Sequence, residues 1–223
     1  MRTLLITLLA LCLPAQAGGL DALSDKDAAS GLKEALVQAA GVAVGQLDQN
    51  DGFLGNEQVR IPLPERLQKA EKMLRKLGMS KQADELITSM NRAAEGAVKE
   101  AKPILVDAVK KMSWQDAKGI LTGGDNAATD YFRRTTSEAI AARFKPVVQK
   151  ATAKVKVAQH YDAYAGKAAS LGLIRAEDAN LDDYVTRKAM DGLFLMIAKE
   201  EQQIRADPMG QASKLLKKVF GSL

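Results

Sequence analysis

Residues 80–101 read SKQADELITSMNRAAEGAVKEA, and their spacing decides the kind of fold to expect. Ser80 stands as a cap, and Ala83, Ile87, Met90, Ala94, Ala97, Val98 and Ala101 fall on one stripe when successive residues turn by about 100°. Most of these are small, so a neighbouring helix can approach closely. Measured from Ala83, Asn91 lies about 80° away and Glu95 about 120° away, at the border of the stripe, whereas Arg92 points to the far side. A polar group at such a border needs a partner.

The same periodicity recurs on both sides. Towards the N-terminus, residues 21–47 form a helix with Ala28, Leu32, Ala35, Leu36, Ala39, Val42 and Ala43 inward and Ser24 or Asp25 as cap. It stops in DQNDGFLGNEQVRIPLPE (48–65), where turn formers alternate with the short apolar pieces 53–54 and 59–63. Those pieces lie extended across a helical body or pair as a short hairpin near residues 50–63; strand is expected nowhere else. Pro64 suits the first turn of the next helix, with Leu67, Ala70, Leu74 and Leu77 inward and Gly78 as its stop.

Towards the C-terminus, Pro103 starts a further helix. Ser113 and Asp116 make a capping-box start, with Trp114 read as a core anchor. Residues 126–143 and 145 to about 166 form two helices or one kinked at Pro146. After a break at Gly172 and RAEDAN, residues 181–205 carry GLFLMIA, apolar around most of the helix, as in the middle of a bundle. A short amphipathic helix with Leu215, Leu216, Val219 and Phe220 follows. Aromatics at 4% and only six prolines agree with an all-α, multi-helix bundle. Without repeats or linkers, residues 18–223 are read as one helical domain.

The first seventeen residues, MRTLLITLLALCLPAQA, combine a basic Arg2, an apolar stretch and a small-x-small end, the pattern of a signal peptide cleaved after Ala17. The run is too short to span a bilayer, which needs about 20 apolar residues. Export to the periplasm is therefore the expectation. Cys12 is the sole cysteine and lies in this segment, so the mature chain has no disulfide or thiolate site. Leu11 before it argues against lipoprotein processing.

Loss of Arg2 would bring the formal charge from +5 to +4. Basic and acidic residues interleave without an aromatic-bearing basic stripe, which argues against nucleic acid. The amphipathic ends could rest on a membrane surface, but packing on the body explains them as well.

ILTGGDNAATDYFRR (120–134) places two glycines before a helix, as a phosphate loop would. No lysine follows, and Asp125 at the cap position would occupy and repel at the N–H groups an anion needs, so Gly123 and Gly124 read as a helix stop. His160, the only histidine, builds neither a zinc site nor a triad on its own. No cofactor is expected. Arg143 and Glu200 fall within the apolar arcs of their helices, about 60° from centre. Asn91, Glu95, Arg143 and Glu200 are thus the candidate residues, as a structural network, for example Arg143 with Glu200 or Glu95, or as the polar wall of a ligand pocket.

The motifs 51–67, 90–105, 112–134 and 184–221 together resemble the proteobacterial domain-of-unknown-function 4197 family over nearly the whole mature chain. The resemblance implies an exported, mainly helical envelope protein and supplies no catalytic residues. Met190 stands where leucine is more usual, and Trp114 where threonine or a small residue is expected. The chain then reads as a non-enzymatic protein whose partner is a small amphipathic ligand or another envelope protein. The alternatives are an enzyme working with Glu95, Asp116 and Glu200, or a peripheral membrane protein.

Overall fold

The computed structural model describes residues 25–64, 80–154 and 180–207, with Gln68, Glu71, Lys72, Arg75 and Lys76 between them. The chain is all-α. Helices α1 (Asp25–Leu47), α2 (Ser80–Val98), α3 (Ala101–Lys111), α4 (Trp114–Leu121), α5 (Ala127–Thr152) and α6 (Leu181–Ala206) share one hydrophobic core, and no strand occurs among the described residues. Gln68, Glu71, Lys72, Arg75 and Lys76 are also helical. The inward residues expected at 67, 70, 74 and 77 lie outside the described residues, as do 1–17, His160 and 213–223.

Helix α6 is the hub, packing on α5, α1 and α2, and α5 also packs on α2 and α3. Gly192, Leu193, Phe194, Met196 and Ile197 are all buried, so the GLFLMIA segment meets neighbours on several sides. Only Leu195 stays 39% exposed. On α1 the line Ala28, Leu32, Ala35, Leu36, Ala39, Ala43 faces the core, while Val42 is exposed and Val44 is buried instead. Its apolar face is therefore used inside the body.

Helix α5 runs unbroken through Pro146. Proline removes the N–H that would serve the carbonyl of Ala142, but both residues are exposed, where water can take its place. Its buried line steps by fours, through Ala128, Phe132, Thr136, Ile140, Phe144, Val148 and Thr152. Each such step drifts by about 40° around the helix, so the buried line winds across the surface. Arg143, assigned inward from one fixed face, is exposed for that reason.

The segment after α1 is irregular, not a hairpin. Asp51 takes a positive φ of 66°, and a Cβ on Gly52 would lie 2.5 Å from the Leu47 carbonyl oxygen, so the chain turns back tightly on the end of α1. Phe53, Val59, Ile61 and Leu63 are buried. Gly192 lets α6 approach this arm: a Cβ there would meet Phe53 Cε1 at 2.7 Å. The Tyr184 hydroxyl donates to the Pro62 carbonyl at 2.8 Å. The arm's backbone groups bond to side chains of the bundle, and Pro62 and Pro64 have no N–H for a ladder.

The α3–α4 corner agrees with the capping box: the Ser113 hydroxyl accepts from the Asp116 N–H at 3.1 Å, and the Asp116 carboxylate accepts from the Ser113 hydroxyl at 2.7 Å. Trp114 is not a core anchor. It is 36% exposed, because Met112, 4% exposed, fills the inward position at this corner and α4 buries Ala117, Ile120 and Leu121.

Candidate functional site

Among the described residues, two constellations are built on buried carboxylates, Glu95 and Glu201. The first is on α2, where Asn91 is 0% and Glu95 5% exposed, deeper than the border position their spacing suggested. The arm covers them. The Asn91 Oδ1 accepts from the Ile61 N–H at 2.8 Å, and its Nδ2 donates to the carbonyls of Ile61 at 2.9 Å and Ile87 at 2.8 Å. Asn91 thus stands in for a partner strand at one residue of the arm.

Glu95 does the same one turn on. Its Oε1 accepts from the N–H groups of Phe53 and Leu54, both at 3.1 Å. Its Oε2 accepts from Arg92 at 2.6 Å, and the same guanidinium reaches Asp51 at 2.7 Å. Glu95 and then Asp51 raise the pKa of Arg92 above its ordinary value. Arg92 therefore curls back over the arm instead of pointing away, and the partner of Glu95 is Arg92, not Arg143.

The second constellation was not picked out from the sequence. Glu201, 5% exposed, accepts from the N–H groups of Ala128 at 2.9 Å and Thr129 at 2.8 Å, and from the Thr129 hydroxyl at 2.8 Å. These are orphan donors of the first turn of α5, where the helix end favours negative charge. Arg205 bonds Glu201 at 2.9 Å and also donates to the Ile120 carbonyl at the end of α4, at 2.9 Å. One ion pair on α6 thus complements the C-terminus of α4 and the N-terminus of α5 together.

That arrangement answers the glycine loop. A Cβ on Gly123 would lie 2.6 Å from the Gly119 carbonyl oxygen and 2.7 Å from Ala127 Cβ, so this joint requires glycine. The N-cap is Asn126, without a side-chain cap bond, and Asp125 is exposed. The anion at the helix start is the protein's own Glu201, which takes the N–H groups a phosphate would need.

Glu201 had a readable signal. It lies about 40° from Ile197 and 60° from Ile204 on the wheel, on the buried side of α6. Glu200, the residue selected, is half-buried and accepts from Gln46 at 3.2 Å. The four candidates are not brought together: Asn91 and Glu95 share the arm, Glu200 meets α1, and Arg143 faces solvent.

Asp116 belongs to a third place. The Ser113 hydroxyl, then the Ser113 N–H and Arg134, hold its carboxyl below the usual value. Glu95, Asp116 and Glu200 each have different partners, so no carboxylate pair with divided acid and base roles arises from them. Among the described residues no group of three or more His, Cys, Asp or Glu side chains is placed to hold a metal ion.

Beside the Glu201–Arg205 pair lies a small hollow of about 20 Å³, room for about one water, lined by Leu32, Leu36, Ile120 and Ile204 with small alanines between. Its wall is apolar, and the ion pair stands at its border.

Comparison with known proteins gives one family. The model described as Protein of unknown function (DUF4197) matches residues 22–221, in agreement with the resemblance of the four motifs. No curated protein and no solved structure matches the chain.

Proposed function

The chain belongs to the DUF4197 family, and on that premise we propose that it is an exported, non-enzymatic protein of the cell envelope that binds a partner or a small amphipathic ligand. The observation that carries this reading is the commitment of the buried polar groups. Asn91, Glu95 and Glu201 each bond backbone of another element, which leaves them holding the bundle together and unsuited to moving protons. Of the acids Glu95, Asp116 and Glu200 on which the enzyme alternative rests, Glu95 is committed in this way, and the three have different partners.

The place for a ligand is the small apolar hollow between α1, α4 and α6 beside the charged pair; it holds about one water, so anything larger enters only as these helices part. Export rests on the basic, apolar and small-x-small pattern of residues 1–17. Native mass spectrometry of the protein purified from its own envelope fraction tests both parts. The expected result is a chain beginning at Gly18 carrying a co-purifying lipid or metabolite. A chain still beginning at Met1 would overturn export, and a bare protein under every condition would overturn the ligand reading.

A further inference from the structure

The α3–α4 corner presents an exposed aromatic among cations. Lys110, Lys111, Ser113, Trp114, Gln115 and Lys118 are all exposed, and Met112 between them is buried and pins the turn. Trp114 and Lys118 are one helical turn apart, on the same face of α4. Lys33 of α1 donates to the Lys110 carbonyl at 3.4 Å, which brings a further ammonium to this corner.

Two carboxylates of α3 and α4 are already matched. Asp107 pairs with Lys111 at 2.7 Å, and Asp116 with Arg134 at 3.2 Å. Among the described residues no carboxylate pairs with Lys33, Lys110 or Lys118. The C-terminal dipole of α3 accounts for Lys110 and Lys111 near its end. It does not account for an indole left at the surface beside them.

We infer that this corner docks on an anionic lipid surface, with Trp114 entering the headgroup layer and Lys110 and Lys118 facing lipid phosphates, flanked by the paired Lys111. The composition separates this from a protein interface. Tryptophan suits either kind of contact, but lysine is depleted at protein–protein contacts, where arginine is favoured, and Arg134 is engaged with Asp116 and lies over the Tyr131 ring at 5.7 Å. Tryptophan with lysine is the pairing that suits a membrane interface, where the ring sits at headgroup level and each cation gains from the surface potential. No helix among the described residues is long and apolar enough to cross a membrane, so the contact is peripheral. It does not depend on whether the hollow holds a ligand.

Trp114 is the only tryptophan, so its emission reports this corner alone. The chain without residues 1–17, which removes no described residue, is mixed with phosphatidylethanolamine vesicles containing phosphatidylglycerol, and separately with phosphatidylcholine vesicles. With the anionic vesicles the expected result is co-flotation and a blue-shifted emission at about 0.02 M salt, both lost near 0.5 M. Changing Lys110, Lys111 and Lys118 together to Glu should weaken partitioning by about a hundredfold or more. A Lys→Gln set, checked by circular dichroism, should weaken it less while keeping the fold. Three results would overturn the inference: no flotation with anionic vesicles, flotation without movement of the Trp114 emission, or a triple Glu variant that floats as well as the parent.

Discussion

Glu201 of α6 accepts the backbone N–H of Ala128 at 2.9 Å, so the first turn of α5 is capped by a residue 73 positions further along the chain. A cap supplied from another helix ties helix formation to tertiary packing. The N–H groups of Ala128 and Thr129 gain this partner only once α6 has docked.

Arg205 completes the tie by reaching both Glu201 and the Ile120 carbonyl. Lysine carries the charge but not the planar fork needed for two acceptors. Arg205→Lys is expected to lower unfolding free energy by about 1–2 kcal/mol, read from urea unfolding.

Asn91 makes three hydrogen bonds in a fully buried position. Asn91→Ala should cost about 2–3 kcal/mol and leave both polar groups of Ile61 without their partner. Hydrogen exchange should show the Ile61 amide losing protection before those in the middle of α2. Asn91→Asp keeps the acceptor but turns a carboxylate oxygen toward two carbonyls, and at neutral pH it is expected to be at least as damaging.

Two helix glycines should respond with opposite signs. At Gly192 an added Cβ meets Phe53 at 2.7 Å and Val59 at 3.2 Å, while at Gly45 it meets nothing within 4 Å. Gly192→Ala is expected to destabilise by about 1–3 kcal/mol through overpacking. Gly45→Ala is expected to stabilise by about 0.5–1 kcal/mol, because alanine restricts the unfolded chain and favours helix. Thermal unfolding of the two variants beside the parent reads both signs.

The capping box at Ser113 gives a pH signature. The Ser113 hydroxyl, the Ser113 N–H and Arg134 depress the Asp116 pKa in the folded state. A depressed carboxyl contributes stability above its unfolded pKa and loses it as pH falls through the folded value. The urea midpoint of the parent should therefore fall more steeply than that of Asp116→Asn between about pH 5 and pH 2.

The helices were legible because apolar spacing and local caps are short-range properties: α2, α4 with its capping box, and α6 lie where their residues place them. Asn91 and Glu95 were legible as polar groups beside an apolar stripe, but their partners on the arm, 30 to 42 residues away in sequence, leave no local mark. Arg143 was misplaced because one fixed face was assumed for a helix whose buried line winds. Trp114 was misplaced because size suggested burial, while the neighbouring Met112 took the space. The cap at Ala128 was assigned to Asp125, the nearest residue able to make it. Glu201 came from a distant helix, and one position on the wheel separated it from the residue selected.

The buried carboxylates hold the helices together. Equilibrium urea unfolding of Glu201→Gln, with Glu200→Gln as control, tests this most directly. The amide keeps the shape but places a donor among N–H groups and Arg205, so the Glu201 variant should lose about 2–4 kcal/mol, while the half-buried Glu200 variant should stay within about 0.5 kcal/mol of the parent. A Glu201→Gln protein as stable as the parent, or one that keeps its stability while losing a bound ligand, would contradict it.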